Sequence, residues 1–249
     1  MDSKNNIGHS ADISFTAELP IPIYNGNNSM DFEKLASLYK DELLDSVLPF
    51  WLEHSQDHEY GGYFTCLDRE GKVFDTDKFI WLQGREVWMF SMLYNKVEKR
   101  QEWLDCAVQG GEFLKKYGHD GNYNWYFSLD RSGRPLVEPY NIFSYTFATM
   151  AFGQLSLATG NQEYADIAKK TFKIILSKVD NPKGKWNKLH PGTRNLKNFA
   201  LPMILCNLAL EIEHLLDPGY LEQTMVTCIH EVMDVFYRPE LGGIIVENV

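Results

Sequence analysis

Long hydrophobic runs are missing from this sequence of 249 residues. No apolar stretch approaches the ~18 residues that a membrane-spanning helix needs. The first thirty residues also lack the basic start and the apolar core of a secretory signal. We therefore predict no membrane partner, and we interpret residues 1–31 as a flexible N-terminal extension of a cytoplasmic protein.

Cysteines are few and basic residues are outnumbered. The four cysteines (Cys66, Cys106, Cys206 and Cys228) lie far apart without a CxxC spacing, so the sequence predicts neither a zinc cluster nor a disulfide framework. Reduced thiols are typical of cytosolic proteins. The 24 lysines and arginines face 34 acidic residues, and the formal charge of -10 repels phosphate backbones. We predict no nucleic-acid partner.

The signatures of several enzyme classes are also absent. No GxxxxGK(S/T) or GxGxxG pattern suggests a nucleotide site, and no GxSxG elbow suggests nucleophilic hydrolysis. One cationic stretch could hold a phosphate, but a mobile surface loop is the commoner explanation and is what we expect. Its residues are Lys183, Lys185, Lys188, His190, Arg194 and Lys197.

A histidine pair raises the question of a metal. His54 and His58 are spaced i, i+4 at the end of a helical pattern, so one helix face could present both rings. No third ligand is evident, and imidazoles near a helix C-terminus also satisfy free carbonyl groups. We predict no metal.

What the sequence does contain is an alternation of two kinds of helical pattern. One-faced amphipathic patterns cover residues ~32–54, ~102–117, ~163–178 and ~218–236, and patterns that are apolar on every side cover ~79–97, ~141–158 and ~200–215. A helix that is apolar on every side needs neighbours on both sides. The alternation therefore predicts an all-α protein over residues 32–249 with two concentric layers, an α/α toroid. An open helical solenoid is the alternative.

The links that lead into the all-apolar helices are long and carry strand signals. Residues 61–75 are typical of a hairpin around the turn Asp68–Gly71, with the segment from Tyr63 to Thr65 in one arm and Val73 and Phe74 in the other. Residues 124–136 repeat that plan around Asp130–Gly133. Because each inner helix starts after a long link, the N-terminal ends of the inner helices should meet at one mouth of the toroid. Helix dipoles favour negative charge there, so we expect the functional site at that mouth.

Arg85 is the strongest candidate for a functional residue, because it lies in the first two turns of an all-apolar helix. A buried guanidinium costs several kcal/mol unless it is paired or faces a wet cavity. Arg85 either pairs with a carboxylate such as Glu86 or serves a site, and we predict a site. Trp81 and Gln83 precede it and are the predicted substrate-binding residues of this helix.

Ser144 and Tyr145 begin the next inner helix at the corresponding height. There they could hydrogen-bond a polyhydroxylated ligand while aromatic neighbours stack on its apolar face. The alternative is that Ser144 caps the helix and Tyr145 belongs to the core. Asp130 and Glu138 are loop candidates for the carboxylate pair of a glycoside hydrolase, which would require them to face each other across a cleft.

Six strings occur in order along the chain: FWLEHSQDHEYGGYFTCLDREGKV, KFIWLQGREVWMFSMLY, GGEFL, IFSYTFATMAF, ATGN and LPMILCNL. Together they closely resemble the N-acylglucosamine 2-epimerase family, also called renin-binding protein. The resemblance runs from about Leu35 to Val249. It implies an (α/α)6 barrel, of which this chain supplies about seven of twelve helices, as a C-terminally truncated member.

The resemblance also implies an activity, the reversible interconversion of N-acetylglucosamine and N-acetylmannosamine. Within WLQGR it assigns the essential arginine of the family to Arg85. PMILCNL favours an N-acetylated hexosamine over cellobiose, because disaccharide epimerases are expected to have a histidine at or near Met203. A homodimer, ATP as an allosteric effector and no cofactor for the chemistry itself are further implications.

Inversion at C2 of an aldose removes a proton made acidic by the C1 aldehyde and returns it to the opposite face. This needs a base and an acid with pKa near 7, and histidines suit both roles. The resemblance implies two histidines, one of them in a GHxxE-like motif after an ENV segment. Because the chain ends at Glu247-Asn248-Val249, we expect both beyond it and no epimerase activity from this chain alone.

Three alternatives to an epimerase with this substrate stay open at this stage. The first is a non-catalytic form that binds sugar or a partner protein. The second is another sugar epimerase or isomerase on the same barrel. The third is a glycoside hydrolase on that barrel.

Overall fold

The computed structural model describes residues 30–139, 141–181, 183, 190, 193 and 197–249. The chain divides into two compact units, the first ending at Pro49 and the second beginning at Phe50. The predicted extension over residues 1–31 lies outside the described residues except for its last two. In the predicted cationic stretch, Lys185, Lys188 and Arg194 likewise lie outside them.

Helices dominate the described residues, as the periodicity predicts. The α-helices are α1 (Phe32–Glu42), α2 (Leu48–His54), α3 (Ile80–Lys96), α4 (Gln101–Tyr117), α5 (Phe143–Thr159), α6 (Gln162–Ser177), α7 (Ala200–Glu211) and α8 (Pro218–Glu231). Two π-helical turns cover Leu43–Val47 and Val232–Phe236, and two 3-10 turns cover Glu213–Leu215 and Pro239–Leu241. Within these ranges, no helix combines the length and the apolar character needed to cross a bilayer.

The strands are short. They are β1 (Cys66–Leu67), β2 (Val73–Asp75), β3 (Lys78–Phe79), β4 (Ser128–Leu129), β5 (Pro135–Val137), β6 (Tyr237–Arg238) and β7 (Ile244–Ile245). Strands β1 and β2 form one antiparallel hairpin, β6 and β7 form another, and β3, β4 and β5 form a three-stranded antiparallel sheet.

In the first unit, α1 begins at a side-chain cap. The Asp31 carboxylate accepts a hydrogen bond of 3.0 Å from the Lys34 amide, and Glu33 adds negative charge to the first turn. Both features stabilise a helix N-terminus, where amide groups lack partners within the helix. No residue of α1 is buried.

In the second unit, the helices pack in the alternating order that the sequence predicts. Helix α3 packs against α4 and α5, and α5 packs against α3, α4, α6 and α7. Twelve of the seventeen residues of α5 are buried, whereas α4 and α6 each bury one face. This two-layer order is that of an α/α toroid.

Both predicted hairpin turns are present, but the first hairpin pairs other residues than expected. Its outgoing arm is Cys66–Leu67 rather than the segment from Tyr63 to Thr65. Tyr63 is fully buried, and its backbone bonds to the Gln83 side chain while its hydroxyl donates to the Cys106 carbonyl at 2.8 Å. These contacts hold Tyr63 in the helix layer, so the hairpin starts after it.

Helix α7 departs from the prediction of burial on every side. Pro202, Leu205, Leu208 and Ala209 are buried, yet Met203 is 49% exposed and Leu210 is 46% exposed. Among the described elements, α7 packs mainly against α5 and α8. An apolar cavity of about 430 Å³ lies between α7 and α8.

Candidate functional site

The N-terminal ends of α3 and α5 meet at a cavity of about 420 Å³. This volume lies within the ~300–1,000 Å³ of typical small-molecule sites. The cavity is lined by Trp81, Arg85, Phe127, Asn141, Phe143, Ser144 and Phe147. The prediction that inner helices start at a shared site thus holds for α3 and α5, whereas the first turns of α7 line the other cavity, beside α8.

Among the described residues, Arg85 is the only charged side chain that lines this cavity. It is exposed rather than buried, which corrects the expectation from the apolar character of α3. Its guanidinium carbon lies 4.6 Å from the ring centroid of Phe147 and 5.4 Å from that of Trp81. Arg85 and Trp81 are four residues apart, so they share one face of α3.

Gly84 explains how α5 comes so close to Arg85. A Cβ atom on Gly84 would lie 2.9 Å from the backbone carbonyl carbon of Phe147. Only glycine therefore permits this helix approach without displacement. The contact sets the height at which the Phe147 ring meets the Arg85 side chain.

Two polar side chains at the start of α5 complete the cavity wall. Ser144 is 3% exposed and lines the cavity. The side-chain Oδ1 of Asn141 accepts a hydrogen bond of 2.9 Å from the Phe143 amide. Asn141 therefore supports the first turn of α5, which the alternative interpretation assigned to Ser144.

Two predicted substrate-binding residues lie elsewhere. Gln83 is fully buried and exchanges two hydrogen bonds of 2.8 Å with the backbone of Tyr63, so it anchors the preceding loop. Tyr145 is 2% exposed, and its hydroxyl donates to Asn124 at 3.3 Å. Burial raises the pKa of Tyr145 to about 12. Neither side chain lines the cavity, because consecutive helix residues point to different faces.

A buried ion cluster beneath the cavity wall was not predicted. Lys78 and Asp57 are both completely buried, with 3.0 Å between Nζ and Oδ2. Arg131 donates to both oxygens of Asp57, at 2.9 and 3.1 Å. Burial alone would raise the pKa of Asp57, but the hydrogen bonds from Arg131 and Lys78 outweigh it and lower the pKa to about 2.

This cluster connects β3 to the β4–β5 turn. Lys78 also donates to the Arg131 carbonyl at 2.9 Å, so it holds the β4–β5 turn to β3. One residue beyond β3, the Ile80 amide donates to the Phe127 carbonyl at 3.0 Å. This second hydrogen bond holds Phe127, a lining residue, against the first turn of α3.

Glu86, the next residue after Arg85, lies on a buried face of α3. It is 7% exposed, and its Oε1 atom lacks a hydrogen-bond partner among the described residues. Burial raises the pKa of Glu86 to about 8, and a hydrogen bond with Ser55 opposes that rise only in part. Glu86 is therefore not the partner of Arg85.

The remaining candidates of the sequence lie away from the cavity. The His54 ring packs on Phe50, with 5.0 Å between centroids, and His58 is exposed. No group of three His, Cys, Asp or Glu side chains that could hold a metal ion occurs within the described ranges. In the cationic stretch, Lys197 pairs with Glu231 at 3.1 Å.

Asp130 does not suit the role of general acid in a glycoside hydrolase. The Asp130 carboxylate accepts from the Arg134 Nε at 2.6 Å and from the Ser132 hydroxyl at 2.8 Å, so it stabilises the β4–β5 turn. Burial would raise the pKa of Asp130, but hydrogen bonds from Arg134 and Ser132 lower it to about 2. A general acid needs a raised pKa instead.

Comparison with known proteins shows the family of the chain. Residues 62–248 match the family model described as N-acylglucosamine 2-epimerase. The chain is 42% identical to the N-acylglucosamine 2-epimerase of Bos taurus over 174 residues, which make up 68% of this chain and 41% of the bovine protein. It is 39% identical to that of Rattus norvegicus over 219 residues, 83% of this chain and 50% of the rat protein. The chain thus spans about half the length of these relatives, or less.

The fold is similar to that of a solved sugar epimerase from a ruminal bacterium. The TM-score is 0.71, at 22% sequence identity, over 83% of this chain and 56% of that chain. At this identity the similarity concerns the fold alone. The predicted fold class, an (α/α)6 barrel, is confirmed.

Proposed function

The chain belongs to the N-acylglucosamine 2-epimerase family, and from this premise we propose that its protein interconverts N-acetylglucosamine and N-acetylmannosamine. The observation that carries the proposal is the position of Arg85. In the part of the chain that the structure describes, it is the single charged lining residue of a cavity that is otherwise walled mainly by aromatic rings.

Arg85 suits the charge that develops during epimerisation. Removal of the C2 proton leaves an enediolate, whose negative charge is spread over the C1 and C2 region of the sugar. A guanidinium presents several donors in a planar fork, which can bind such oxygens without changing its own charge. Placed at helix N-termini, this cation acts together with the helix dipoles to stabilise the anion.

The other lining residues suit an N-acetylated hexosamine. Trp81, Phe127 and Phe143 offer apolar faces to the sugar ring and the acetyl group, while Asn141 and Ser144 offer hydrogen bonds to hydroxyls. We assign substrate binding to Trp81 and Ser144 from the predicted set, and we leave Gln83 and Tyr145 to structural roles.

Proton transfer needs other groups. The seven lining residues include no histidine and no carboxylate, the side chains that most often transfer protons in enzymes. The proposed role of this cavity is to bind the sugar and stabilise the enediolate. The reaction needs no cofactor, because the aldehyde of the substrate itself makes the C2 proton acidic.

A binding experiment tests the proposal. N-Acetylmannosamine and N-acetylglucosamine, titrated into the chain, should shift the indole NMR signal of Trp81, and cellobiose should not. Arg85→Lys loses the planar fork and should weaken sugar binding about tenfold. The matched control is Arg100→Lys, because Arg100 also stacks on a tryptophan, Trp103, but does not line the cavity. Absence of binding by both N-acetylated sugars would contradict the proposal.

Three finer proposals rest on the same family membership. We propose that ATP is an allosteric effector, that the protein forms a homodimer and that it works in the cytoplasm. The four cysteines in the free thiol state support the last of these, because reducing compartments keep thiols free. A rise in melting temperature with ATP and a dimer mass in light scattering are the expected measurements.

A further inference from the structure

Ring faces, rather than a carboxylate, hold the guanidinium of Arg85. Among the described residues, Arg85 makes no ion pair, and its close contacts are the rings of Phe147 and Trp81. These two rings lie 6.1 Å apart at an angle of 49°, so they form two sides of a corner around the cation. Arg131, by contrast, is held by the carboxylates of Asp57 and Glu59.

The way a cation is held decides what it can still bind. A carboxylate partner occupies guanidinium donors and neutralises the charge. An aromatic face attracts the same cation through the ring quadrupole and leaves the N–H groups, which lie in the guanidinium plane, available. Arg85 therefore keeps both its charge and its donors for a ligand in the cavity.

We propose that Phe147 is a positioning residue of the site, which orients the Arg85 guanidinium for the bound sugar. This inference rests on the proposed function, because positioning matters only if Arg85 binds substrate. Phe147 suits the role because it comes from α5, whereas Arg85 and Trp81 come from α3. It thus fixes the side chain relative to both helices that form the cavity.

Gly84 makes this orientation reproducible. Since a Cβ atom at Gly84 would meet the Phe147 backbone at 2.9 Å, the two helices touch directly beside Arg85. A contact between backbones leaves little freedom for Phe147 to shift along α3. The ring of Phe147 is consequently held at a fixed height above the guanidinium.

The test observes Arg85 directly, without relying on turnover. The chain has seven arginines, so its arginine Nε–H signals can be resolved by NMR and Arg85 assigned from the Arg85→Lys variant. Phe147→Leu should move the Arg85 signal away from its ring-shifted position, and it should weaken binding of N-acetylmannosamine about two- to thirtyfold. Phe147→Tyr keeps the ring face and should restore both values.

The matched control is Phe152→Leu, a change in a fully buried ring of the same helix that packs on Trp125 and Tyr164. It should lower stability and leave the Arg85 signal in place. An unmoved Arg85 signal in Phe147→Leu, or an equal movement in Phe152→Leu, would overturn the proposal. Unchanged sugar affinity in Phe147→Leu would overturn it as well. If the wild-type chain binds no sugar while Phe147→Leu still moves the signal, the proposed function fails and the orientation of Arg85 by Phe147 stands.

Discussion

Helices α5 and α7 are both apolar on every side in sequence, yet they are buried to different degrees. Helix α5 buries twelve of its seventeen residues, and α7 buries four of its twelve. The difference lies in their neighbours, since α5 packs against four helices and α7 mainly against α5 and α8. An all-apolar pattern thus indicates that a helix can be surrounded, and the neighbours present decide how much of it is.

The difference in burial between α5 and α7 is tested most strongly by truncating one side chain in each helix. Phe152→Ala removes a fully buried ring from α5 and should lower the free energy of unfolding by about 3–5 kcal/mol. Leu210→Ala removes a side chain of α7 that is 46% exposed and should cost about 1 kcal/mol or less. Urea unfolding of both variants measures the difference. Equal losses would mean that α5 and α7 contribute alike to the core.

The same contrast between buried and exposed groups should hold for ion pairs. Lys78→Met breaks a completely buried ion pair near α3 and should cost about 3–5 kcal/mol, because it leaves Asp57 with less compensation. Lys197→Met breaks a pair with Glu231 near α7, in which the lysine side chain is 62% exposed, and should cost about 1 kcal/mol at most. Unfolding at two salt concentrations sharpens the result, since only the exposed pair should weaken with salt.

The pH dependence of the free energy of unfolding tests a single buried group, Glu86, and the expected effect is smaller. The pKa of Glu86 is raised from 4.5 to about 8 by burial, so the folded chain keeps a proton that the unfolded chain loses. The free energy of unfolding should therefore fall as the pH rises from about 4.5 to about 8, by a few kcal/mol in total, and level off above that. Glu86→Gln stays neutral and should remove this contribution.

Glu222→Gln, on the exposed surface of α8, serves as the control and should leave the pH profile unchanged. Thermal melts of the three proteins between pH 5 and 9 make the comparison. Parallel profiles for the wild-type chain and Glu86→Gln would show that Glu86 ionises normally in the folded state.

The helices could be predicted from the sequence because helix periodicity is a local signal. The pattern over ~79–97 corresponds to α3 (Ile80–Lys96), and the pattern over ~163–178 corresponds to α6 (Gln162–Ser177). The exposure of Met203 could not be predicted in this way, because it depends on which helices lie beside α7.

The candidate site was predictable only in part. Arg85 and Ser144 line the cavity, and the sequence could place both there because it locates the starts of their helices. Gln83 and Tyr145 do not line the cavity, since each residue along a helix turns the side chain by ~100°. A helical projection that places Arg85 at the cavity would have separated Gln83 from it.

The ion cluster of Asp57, Lys78 and Arg131 could not be predicted from any local pattern in the sequence. Its members come from three separate loops and strands, and charged residues in loops usually face solvent. Only the sheet pairing of Lys78 with Leu129 brings the β4–β5 turn within reach of the lysine. Such pairing between distant strands cannot be inferred from spacing alone.

The tight link between α5 and α6 has a consequence for how the chain folds. Gly160 ends α5 in a left-handed conformation with φ of 69°, and the Asn161 side chain accepts from the Glu163 amide to begin α6 at once. Contacts between these helices close short loops, whereas contacts between α3 and α5 close a much longer one and lose more chain entropy. We therefore expect the α5–α6 hairpin to form early in refolding, before α3 docks on α5 and the sugar cavity takes shape.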